Sequence, residues 1–400
     1  MRILIINDQI EGGGTEIQTL REFNNFVEHG NEAFILTFDN RYPVQLDYEN
    51  NKILNFPIRL NDLKKTCYRL FSSRYIYIIK KLIKDISPEY IHLNNVKTIP
   101  IDILKIVKSY SNIQTLRDFS YICPKGTAIL EDGSDCNGYM HNNCLRKCGE
   151  EKFNLKLFFK YITLVNVNKK RVKCIDKMVT PSRCLSHLCN INGLPTVVLN
   201  NPFDFSILKK ETQNYSSNTY LYYGEISKKK GVEVLLKSFS IFHKKYPDSK
   251  LCIAGKILDE FKETFFELLD SEYCEYLGEL SNDKIMELYK KIYCVVVPSL
   301  WIENYPNTVL EAIASKTLVL GSDRGGIPEL ILNEQFRFNI LDEADVYNKL
   351  CFSREISKDD YNKVTEKQYR FIYQNNSQNE YYKRLANILS NVKRGRKNDC

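Results

Sequence analysis

The sequence lacks several features that mark particular classes of protein. No apolar run approaches the roughly 20 residues of a membrane-spanning helix. The opening segment MRILIIND leads directly into a predicted strand rather than into the long apolar run of a signal peptide. We therefore expect a cytoplasmic protein. No stretch reads Gly-x-Gly-x-x-Gly, the dinucleotide fingerprint, and this absence argues against an oxidoreductase.

The sequence also has little excess of charge of one sign. Its 57 basic residues are interleaved with 49 acidic ones, which leaves a net charge of +8. Such mild basicity suits an anionic small molecule or a membrane surface. No basic face interleaved with aromatic residues is visible apart from the segment that starts at Phe153, so we expect no nucleic-acid partner.

The length and the hydrophobic pattern predict two α/β domains. A chain of 400 residues, 43% of them hydrophobic, exceeds a single core of ordinary size. Short apolar runs alternate with helical patterns, which is typical of parallel sheets with crossover helices. Predicted strands lie at residues 2–7, 33–38, 90–93, 114–116, 177–179 and 197–199, and at 220–223, 250–254, 274–276, 294–297 and 318–321. The polar segment 200–218 is the predicted linker.

The stretch WIENYPNTVLEAIAS places two carboxylates, Glu303 and Glu311, on either side of a predicted helix start at Pro306. A helix start has free amides and a partial positive charge, so it can hold an anion. The amides in question belong to Asn307, Thr308 and Val309. Carboxylates can accept hydrogen bonds from paired sugar hydroxyls. The alternative is that Glu303 and Glu311 are merely a loop charge and a helix-face charge.

This stretch resembles the retaining glycosyltransferases of family 4, which carry a Glu-(seven residues)-Glu motif at this position. The resemblance extends over nearly the whole chain. Its further motifs are EGGGTEIQTL near the start, PSRCL, NNPFD, YYGEISKKKGVEVLLKSF and GSDRGGIPEL.

The resemblance implies the GT-B fold, in which two Rossmann-like domains face each other across a cleft. It assigns residues 1–203 to an acceptor-side domain with a cysteine-rich insertion at 123–148. Residues 219–365 form the nucleotide-sugar-binding domain, 366–390 a helix that crosses back to the first domain, and 391–400 a basic tail.

The resemblance also assigns the donor-side residues. Lys230 and Glu303 are the expected catalytic groups, acting on the diphosphate and on the sugar. The other donor-binding positions are Gly13 and Gly14 beside Gly12, Glu225, Asn307, Thr308, Val309 and Glu311. Glu225 departs from the family, which has arginine there. Lys228 or Lys229 could replace that arginine, or Glu225 could pair with Lys230.

A second departure concerns Arg117 and Asp118, in TLRDF, where many relatives have His-Asp. Arginine cannot act as a base. We assign Arg117 and Asp118 to acceptor binding, with a salt bridge between the domains as the alternative for Arg117.

The expected activity follows from the resemblance. It implies a retaining hexosyltransferase that needs no catalytic metal, in keeping with the absence of any Asp-x-Asp triplet. The donor is a nucleotide sugar, with UDP favoured over GDP, and the acceptor a carbohydrate, lipid-linked in surface polysaccharide assembly such as capsule or O-antigen. The alternatives are a soluble acceptor, or a degenerate member that binds without turnover.

Four cysteines in the insertion could hold a structural zinc ion, because four thiolates suit a tetrahedral site. They are Cys123, Cys136, Cys144 and Cys148. Free thiols, disulfides and an iron–sulfur cluster are the alternatives.

The segment FNLKLFFKYITLVNVNKKRVK combines aromatic and basic residues. It predicts either a helix on an anionic membrane surface or a core helix with a basic end.

Overall fold

The computed structural model describes residues 1–57, 73–96, 102–130, 136, 155–208 and 218–398. The chain forms two compact units. Unit 1 comprises residues 1–131, 136–202 and 378–400, and unit 2 comprises residues 132–135 and 203–377. Each unit is built around one parallel sheet.

The strands are β1 (Arg2–Ile6), β2 (Glu32–Thr37), β3 (Ile53–Asn55), β4 (Tyr90–Leu93), β5 (Ser111–Thr115), β6 (Lys177–Thr180), β7 (Thr196–Val198), β8 (Thr219–Tyr223), β9 (Lys250–Ala254), β10 (Cys274–Tyr276), β11 (Cys294–Val297), β12 (Leu318–Ser322) and β13 (Arg337–Phe338). The described helices are α1 (Gly14–Glu28), α2 (Ser73–Ile86), α3 (Ile103–Val107), α4 (Leu155–Cys174), α5 (Arg183–Ile191), α6 (Val232–Lys245), α7 (Lys262–Leu268), α8 (Asn282–Tyr289), α9 (Asn307–Ala314), α10 (Ile327–Leu330), α11 (Glu343–Glu355), α12 (Lys358–Asn376) and α13 (Gln378–Asn398).

The two sheets share one topology. The sheet of unit 1 has the order β3-β2-β1-β4-β5-β6-β7, and that of unit 2 has the order β10-β9-β8-β11-β12-β13. In both, the strand order reverses beside the first strand of the unit, as in Rossmann folds. Ligands of such sheets bind at the carboxyl ends of the strands near this reversal. We therefore expect ligand sites at the carboxyl ends of β1 and β8.

The predicted two-sheet α/β architecture is confirmed, and the differences have physical causes. β3 and β13, with three and two residues, were not predicted. β5 starts earlier than predicted because its polar residues are buried with partners. Asn112 Nδ2 donates to the Val107 carbonyl oxygen at 2.9 Å, and Gln114 Oε1 accepts from Arg171 Nε at 2.8 Å.

The carboxy-terminal segment consists of two helices where we predicted one crossover helix over residues 366–390. α12 belongs to unit 2 and α13 to unit 1, with extended backbone at Ser377 between them. The buried Asn376 fixes the end of α12, since its carbonyl oxygen accepts from Phe203 N at 2.7 Å and its Nδ2 donates to the Tyr305 hydroxyl at 3.0 Å. α13 packs on α1 and β5 of unit 1. The predicted return of the last helix to the first domain is thus confirmed, but it begins at Gln378 rather than at residue 366.

Candidate functional site

The carboxyl end of β8 leads into a short helical turn that carries three consecutive lysines. This turn, Lys228–Lys230, ends at Gly231, where α6 begins. Gly231 has a φ of +71°, and a Cβ placed there would lie 1.7 Å from the Pro298 carbonyl oxygen. Only glycine allows this approach. The turn is thereby pressed against the end of β11, the neighbouring strand.

Lys230 and Glu303 form an ion pair at this edge of the sheet. Lys230 Nζ lies 2.5 Å from Glu303 Oε1, and the side chains are 26% and 17% exposed. Ser299 Oγ donates to the same carboxylate oxygen at 3.0 Å. The two predicted catalytic residues are therefore together, held in place but accessible.

A second glycine turn fixes the backbone of Glu303. Gly326 N donates to the Glu303 carbonyl oxygen at 2.7 Å. At Gly325, where φ is +62°, a Cβ would lie 2.1 Å from that same oxygen. The segment GSDRGGIPEL thus holds the backbone of Glu303 in place. The sequence did not reveal this role, because the glycines lie some twenty residues away from Glu303.

Glu225 pairs with Lys229 and not with Lys230. Its Oε1 lies 3.0 Å from Lys229 Nζ and accepts from Ser227 Oγ at 3.1 Å. The Lys230 ammonium group is paired with Glu303 instead, so the structure gives no support to a role of Glu225 in orienting Lys230.

Helix α9 begins where the sequence predicted, with Pro306 as its N-cap, and the Pro306 side chain makes no capping hydrogen bond. Thr308 Oγ1 donates to the Tyr223 carbonyl oxygen at 3.4 Å, Val309 is buried, and Asn307 is half-buried. The helix start therefore lies beside the end of β8, close to the Lys228–Lys230 turn.

Glu311, one turn into α9, is only 2% exposed. Burial raises the pKa of the Tyr223 hydroxyl, and the Glu311 carboxylate raises it further. The pKa of Tyr289 is raised by burial and by the same carboxylate. Glu311 thus lies within electrostatic reach of the end of β8, and its role at a ribose stays a prediction.

The glycine-rich turn of unit 1 follows β1, as predicted. Gly13 is the N-cap of α1, and Gly14 is its first residue. A Cβ at Gly12 would lie 2.9 Å from Glu16 Oε2, whereas a Cβ at Gly13 would meet nothing within 4 Å. The backbone at Gly13 is therefore open to a ligand, and its donor-binding role stays a prediction.

Arg117 lies in a closed polar network and is 8% exposed. Its Nε donates to Asn94 Oδ1 at 2.7 Å, its Nη1 to Asn201 Oδ1 at 2.6 Å, and its Nη2 to Glu22 Oε1 at 2.8 Å. All of these partners belong to unit 1, so the guanidinium group is engaged there by three side chains. Its acceptor-binding role stays a prediction, without support from this geometry.

Glu22 joins this network to the last helix and to a buried histidine. Tyr381, on α13, donates its hydroxyl to Glu22 Oε1. His92 Nδ1 lies 3.5 Å from Glu22 Oε2, and burial lowers the pKa of His92 despite this carboxylate. We call the set Glu22, Asn94, Arg117, Tyr381 and His92 the Glu22 network. Sequence reasoning missed it because its members lie on distant segments.

Asp118 caps the turn Phe119–Tyr121 by accepting from Ser120 N at 2.9 Å. Its side chain is half-buried. It follows β5 directly, so its carboxylate lies at the carboxyl edge of the unit 1 sheet. Acceptor binding stays a prediction for Asp118 as well.

The predicted zinc ligands are only partly covered by the structure. Cys123 and Cys136 are half-buried free thiols, whereas Cys144 and Cys148 lie outside the described residues. Among the described residues, no group of three metal-ligating side chains is present. The thiols of Cys189, Cys252, Cys274 and Cys294 are buried in the cores of the two units. Burial raises the pKa of the Cys189 thiol to about 12.

Helix α4 bears the aromatic and basic residues of the predicted surface helix. Leu155, Phe159 and Ile162 are exposed, at 57%, 59% and 40%, and so is Lys160. Its other face is anchored by Arg171, which is buried. In the part of the chain that the structure describes, no helix is long and apolar enough to cross a membrane.

Comparisons with known proteins relate the chain to glycosyltransferases. Residues 204–350 match the family model "Glycosyl transferases group 1". An uncharacterized glycosyltransferase of Methanocaldococcus jannaschii is 26% identical over 344 residues, which are 74% of this chain and 80% of that protein. The O-antigen chain mannosyltransferase of Salmonella typhimurium is 25% identical over 196 residues, 48% of this chain and 54% of that enzyme.

A solved structure extends the likeness to the whole fold. The crystal structure of Anabaena HepE in complex with UDP has a TM-score of 0.71 and 13% identity, and the match covers 98% of this chain and all of the other. At this identity the likeness concerns the fold. Residues 204–350 therefore resemble the glycosyl transferases group 1 family, and the chain has the GT-B fold.

Proposed function

We propose that the protein is a retaining glycosyltransferase that moves a hexose from a nucleotide diphosphate donor to a carbohydrate acceptor, lipid-linked, in surface polysaccharide assembly. The observation that carries this proposal is the accessible Lys230–Glu303 pair beside the start of α9, whose N-cap is Pro306. Together they offer an ammonium group, a helix N-terminus and a carboxylate at the carboxyl edge of one Rossmann-like sheet.

In this proposal each group has one task. Lys230 and the amides at the start of α9 bind the donor diphosphate, since both favour negative charge. Glu303 accepts hydrogen bonds from sugar hydroxyls, and Glu311 accepts them from the ribose. Gly13 and Gly14 leave the backbone of their turn open to the donor.

The reaction needs no base from the protein. The bond between the anomeric carbon and the leaving phosphate oxygen breaks, and the acceptor hydroxyl oxygen bonds to that carbon on the same face. The acceptor proton passes to the leaving phosphate oxygen. The protein contributes position and charge, which stabilise the developing negative charge on the diphosphate.

The relatives support the substrate classes. HepE binds UDP, which favours a UDP-sugar donor over a GDP-sugar. The Salmonella relative is a mannosyltransferase of O-antigen chains, which supports a role in surface polysaccharide assembly.

The test is a donor screen by calorimetry and released-nucleotide assay, using wild type, Glu303→Ala and Glu233→Ala with UDP-, GDP- and other nucleotide sugars. Glu233 is a matched control because it also pairs with a lysine, Lys237, at 2.8 Å in unit 2. We expect one donor to bind and hydrolyse slowly, with loss of the release in Glu303→Ala alone. Equal release from both variants would contradict the role of Glu303.

A second candidate function is nucleotide-sugar binding without turnover. The carboxylate at Glu225 favours it, because a negative charge near the leaving diphosphate opposes the negative charge that develops there in the transition state. In that case donors would bind but no acceptor mixture would give transfer, and Glu225→Arg would increase activity. A transfer reaction by the wild type would rule this candidate out.

We further propose that the protein lies on the inner face of the membrane, docked through α4. Its exposed Leu155, Phe159 and Ile162 would enter the lipid interface while Lys160 meets anionic headgroups. Wild type should sediment with vesicles of anionic phospholipid, whereas the variant Phe159→Glu should remain in the supernatant. Equal sedimentation of both proteins with the vesicles would mean that α4 does not dock the protein on the membrane.

The cysteine-rich insertion is proposed to hold one structural zinc ion. Metal analysis of the purified protein should give one zinc per chain, and Cys123→Ser with Cys136→Ser should release it. Wild type without zinc would instead favour free thiols.

A further inference from the structure

Lys229 lies beside Lys230 but is held by different groups. Its Nζ is 3.0 Å from Glu225 Oε1 and 5.4 Å from the centre of the Trp301 ring. Its carbonyl oxygen accepts from Trp301 N at 2.9 Å. Trp301 precedes Glu303 by two residues, so the two lysines are attached to the same loop through different side chains.

The two lysine–glutamate pairs form one cluster around the end of β8. Tyr222 lies near both carboxylates, since the charges of Glu303 and Glu225 add to the effect of burial in raising the pKa of its hydroxyl. Both carboxylates therefore act on one phenol. Tyr222 also donates its hydroxyl to the Glu225 carbonyl oxygen at 2.6 Å, which fixes the backbone of Glu225 at this place.

The Lys229 ammonium group is accessible to solvent, although it is paired with Glu225. Its side chain is 45% exposed, and that of Glu225 is 34% exposed. An ion pair with this exposure contributes little to folding stability. An incoming anion can therefore engage Lys229 without breaking a buried pair.

We propose that Lys229 is a second cation for the donor diphosphate, and that Glu225 and Trp301 position it. The inference rests on the proposed function. A diphosphate spreads its charge over two phosphoryl groups, whereas a lysine ammonium group is a single point charge. The positive charge of Lys230 is partly neutralised by Glu303. A neighbouring ammonium group on the same turn would therefore compensate the negative charge of the diphosphate that Lys230 alone leaves uncompensated. Glu225 then acts as a support for Lys229 rather than as a repulsive group.

The chain has one tryptophan, Trp301, which makes the proposal measurable. The Lys229 ammonium group lies over its ring, and movement of that charge toward a phosphate changes the emission of the indole. Binding of a nucleoside diphosphate should therefore change tryptophan fluorescence, whereas binding of the matching nucleoside should not.

The experiment titrates wild type, Lys229→Ala, Lys229→Arg and Lys228→Ala with a nucleoside diphosphate and with its nucleoside, by calorimetry and by fluorescence. Lys228 is the matched control because it is an exposed lysine of the same turn. Lys229→Ala should weaken diphosphate binding roughly tenfold or more, the usual effect of losing a hydrogen bond to a charged group. It should leave nucleoside binding unchanged and abolish the fluorescence change. Lys229→Arg should keep most of the affinity, and Lys228→Ala should stay within about twofold of wild type.

Glu225→Gln tests the supporting role separately. It should shift the fluorescence of the free protein, because Lys229 leaves the ring, and it should weaken diphosphate but not nucleoside binding. Tighter diphosphate binding by Glu225→Gln would overturn that role and mark Glu225 as repulsive.

The outcomes separate this inference from the proposed function. Equal effects of Lys229→Ala and Lys228→Ala, together with a loss in Lys230→Ala, would overturn the inference alone. Equal losses of diphosphate and nucleoside binding in Lys229→Ala would do the same, since they indicate a general disturbance. A wild type that binds no nucleoside diphosphate would remove the proposed function itself.

Discussion

Both units place a carboxylate against a basic side chain at the carboxyl edge of their sheets, but the two arrangements differ in access. The pair of Arg117 and Glu22 in unit 1 is 5% and 1% exposed, whereas that of Lys230 and Glu303 in unit 2 is 26% and 17% exposed. The first is surrounded by further partners, and one of them, Tyr381, comes from the last helix. In the second, Ser299 Oγ also donates to the Glu303 carboxylate.

This difference indicates two uses of charge on one architecture. In unit 1 the charges fasten α13 to the sheet, so they serve the fold. In unit 2 they stay accessible, which favours a ligand. The predictions below test this contrast through stability, where the closed pair should matter most and the accessible pair least.

The largest effect is expected for Arg117→Met. It leaves the Glu22 carboxylate buried without its cation, and breaking a buried pair in this way costs about 3–5 kcal/mol. Urea unfolding should show the loss, and hydrogen exchange should show earlier opening of α13. The double variant Arg117→Met with Glu22→Gln should recover part of the loss, and a double variant as unstable as the sum of both single ones would contradict the coupling.

Gly231→Ala should have the next largest effect. The left-handed backbone costs roughly 1–2 kcal/mol for a residue with a Cβ, and displacement of the Pro298 carbonyl adds roughly 1–3 kcal/mol. Gly278→Ala is the matched control, because Gly278 has the same φ of +71° with nothing within 4 Å of the added Cβ. It should show the backbone cost alone. Equal unfolding free energies for the two variants would mean that the contact with Pro298 is not tight.

A smaller effect concerns pH and His92. The pKa of His92 is lowered in the folded protein from its ordinary 6.5, chiefly by burial. The unfolded chain then binds the proton more readily, so this contribution to stability is complete above about pH 6.5 and declines as the pH falls toward the folded pKa. The slope for one proton is at most about 1.4 kcal/mol per pH unit.

The variant His92→Gln should flatten this pH dependence of the unfolding free energy. Arg117 lowers the pKa of His92, so Arg117→Met should flatten it too. An unchanged slope in both variants would place the responsible proton elsewhere.

The smallest effect on stability is expected for Lys230→Met. The pair with Glu303 is partly exposed, and pairs of this kind contribute about 1 kcal/mol or less. The unfolding midpoint in urea should therefore stay close to that of wild type. A loss as large as that of Arg117→Met would mean that both units use their charges for folding.

The sequence predicted most of the fold and part of the site. Alternating apolar runs located every described strand except β3 and β13, and Pro306 with the apolar pattern after it located the start of α9. The Glu22 network was not predictable, because Arg117 and Tyr381 lie 95 and 359 residues from Glu22. The Glu225–Lys229 pair is local, yet the sequence suggested Lys230 as the partner of Glu225, because only the geometry of the turn decides which of three consecutive lysines faces the carboxylate.

The measurement that tests the central claim most directly is calorimetric titration of wild type and Lys230→Met with the nucleoside diphosphate of the preferred donor and with its nucleoside. The account predicts that Lys230→Met weakens diphosphate binding roughly tenfold or more while nucleoside affinity and the unfolding midpoint stay unchanged. Unchanged diphosphate affinity in a folded variant would contradict the claim that this accessible lysine is where the donor binds.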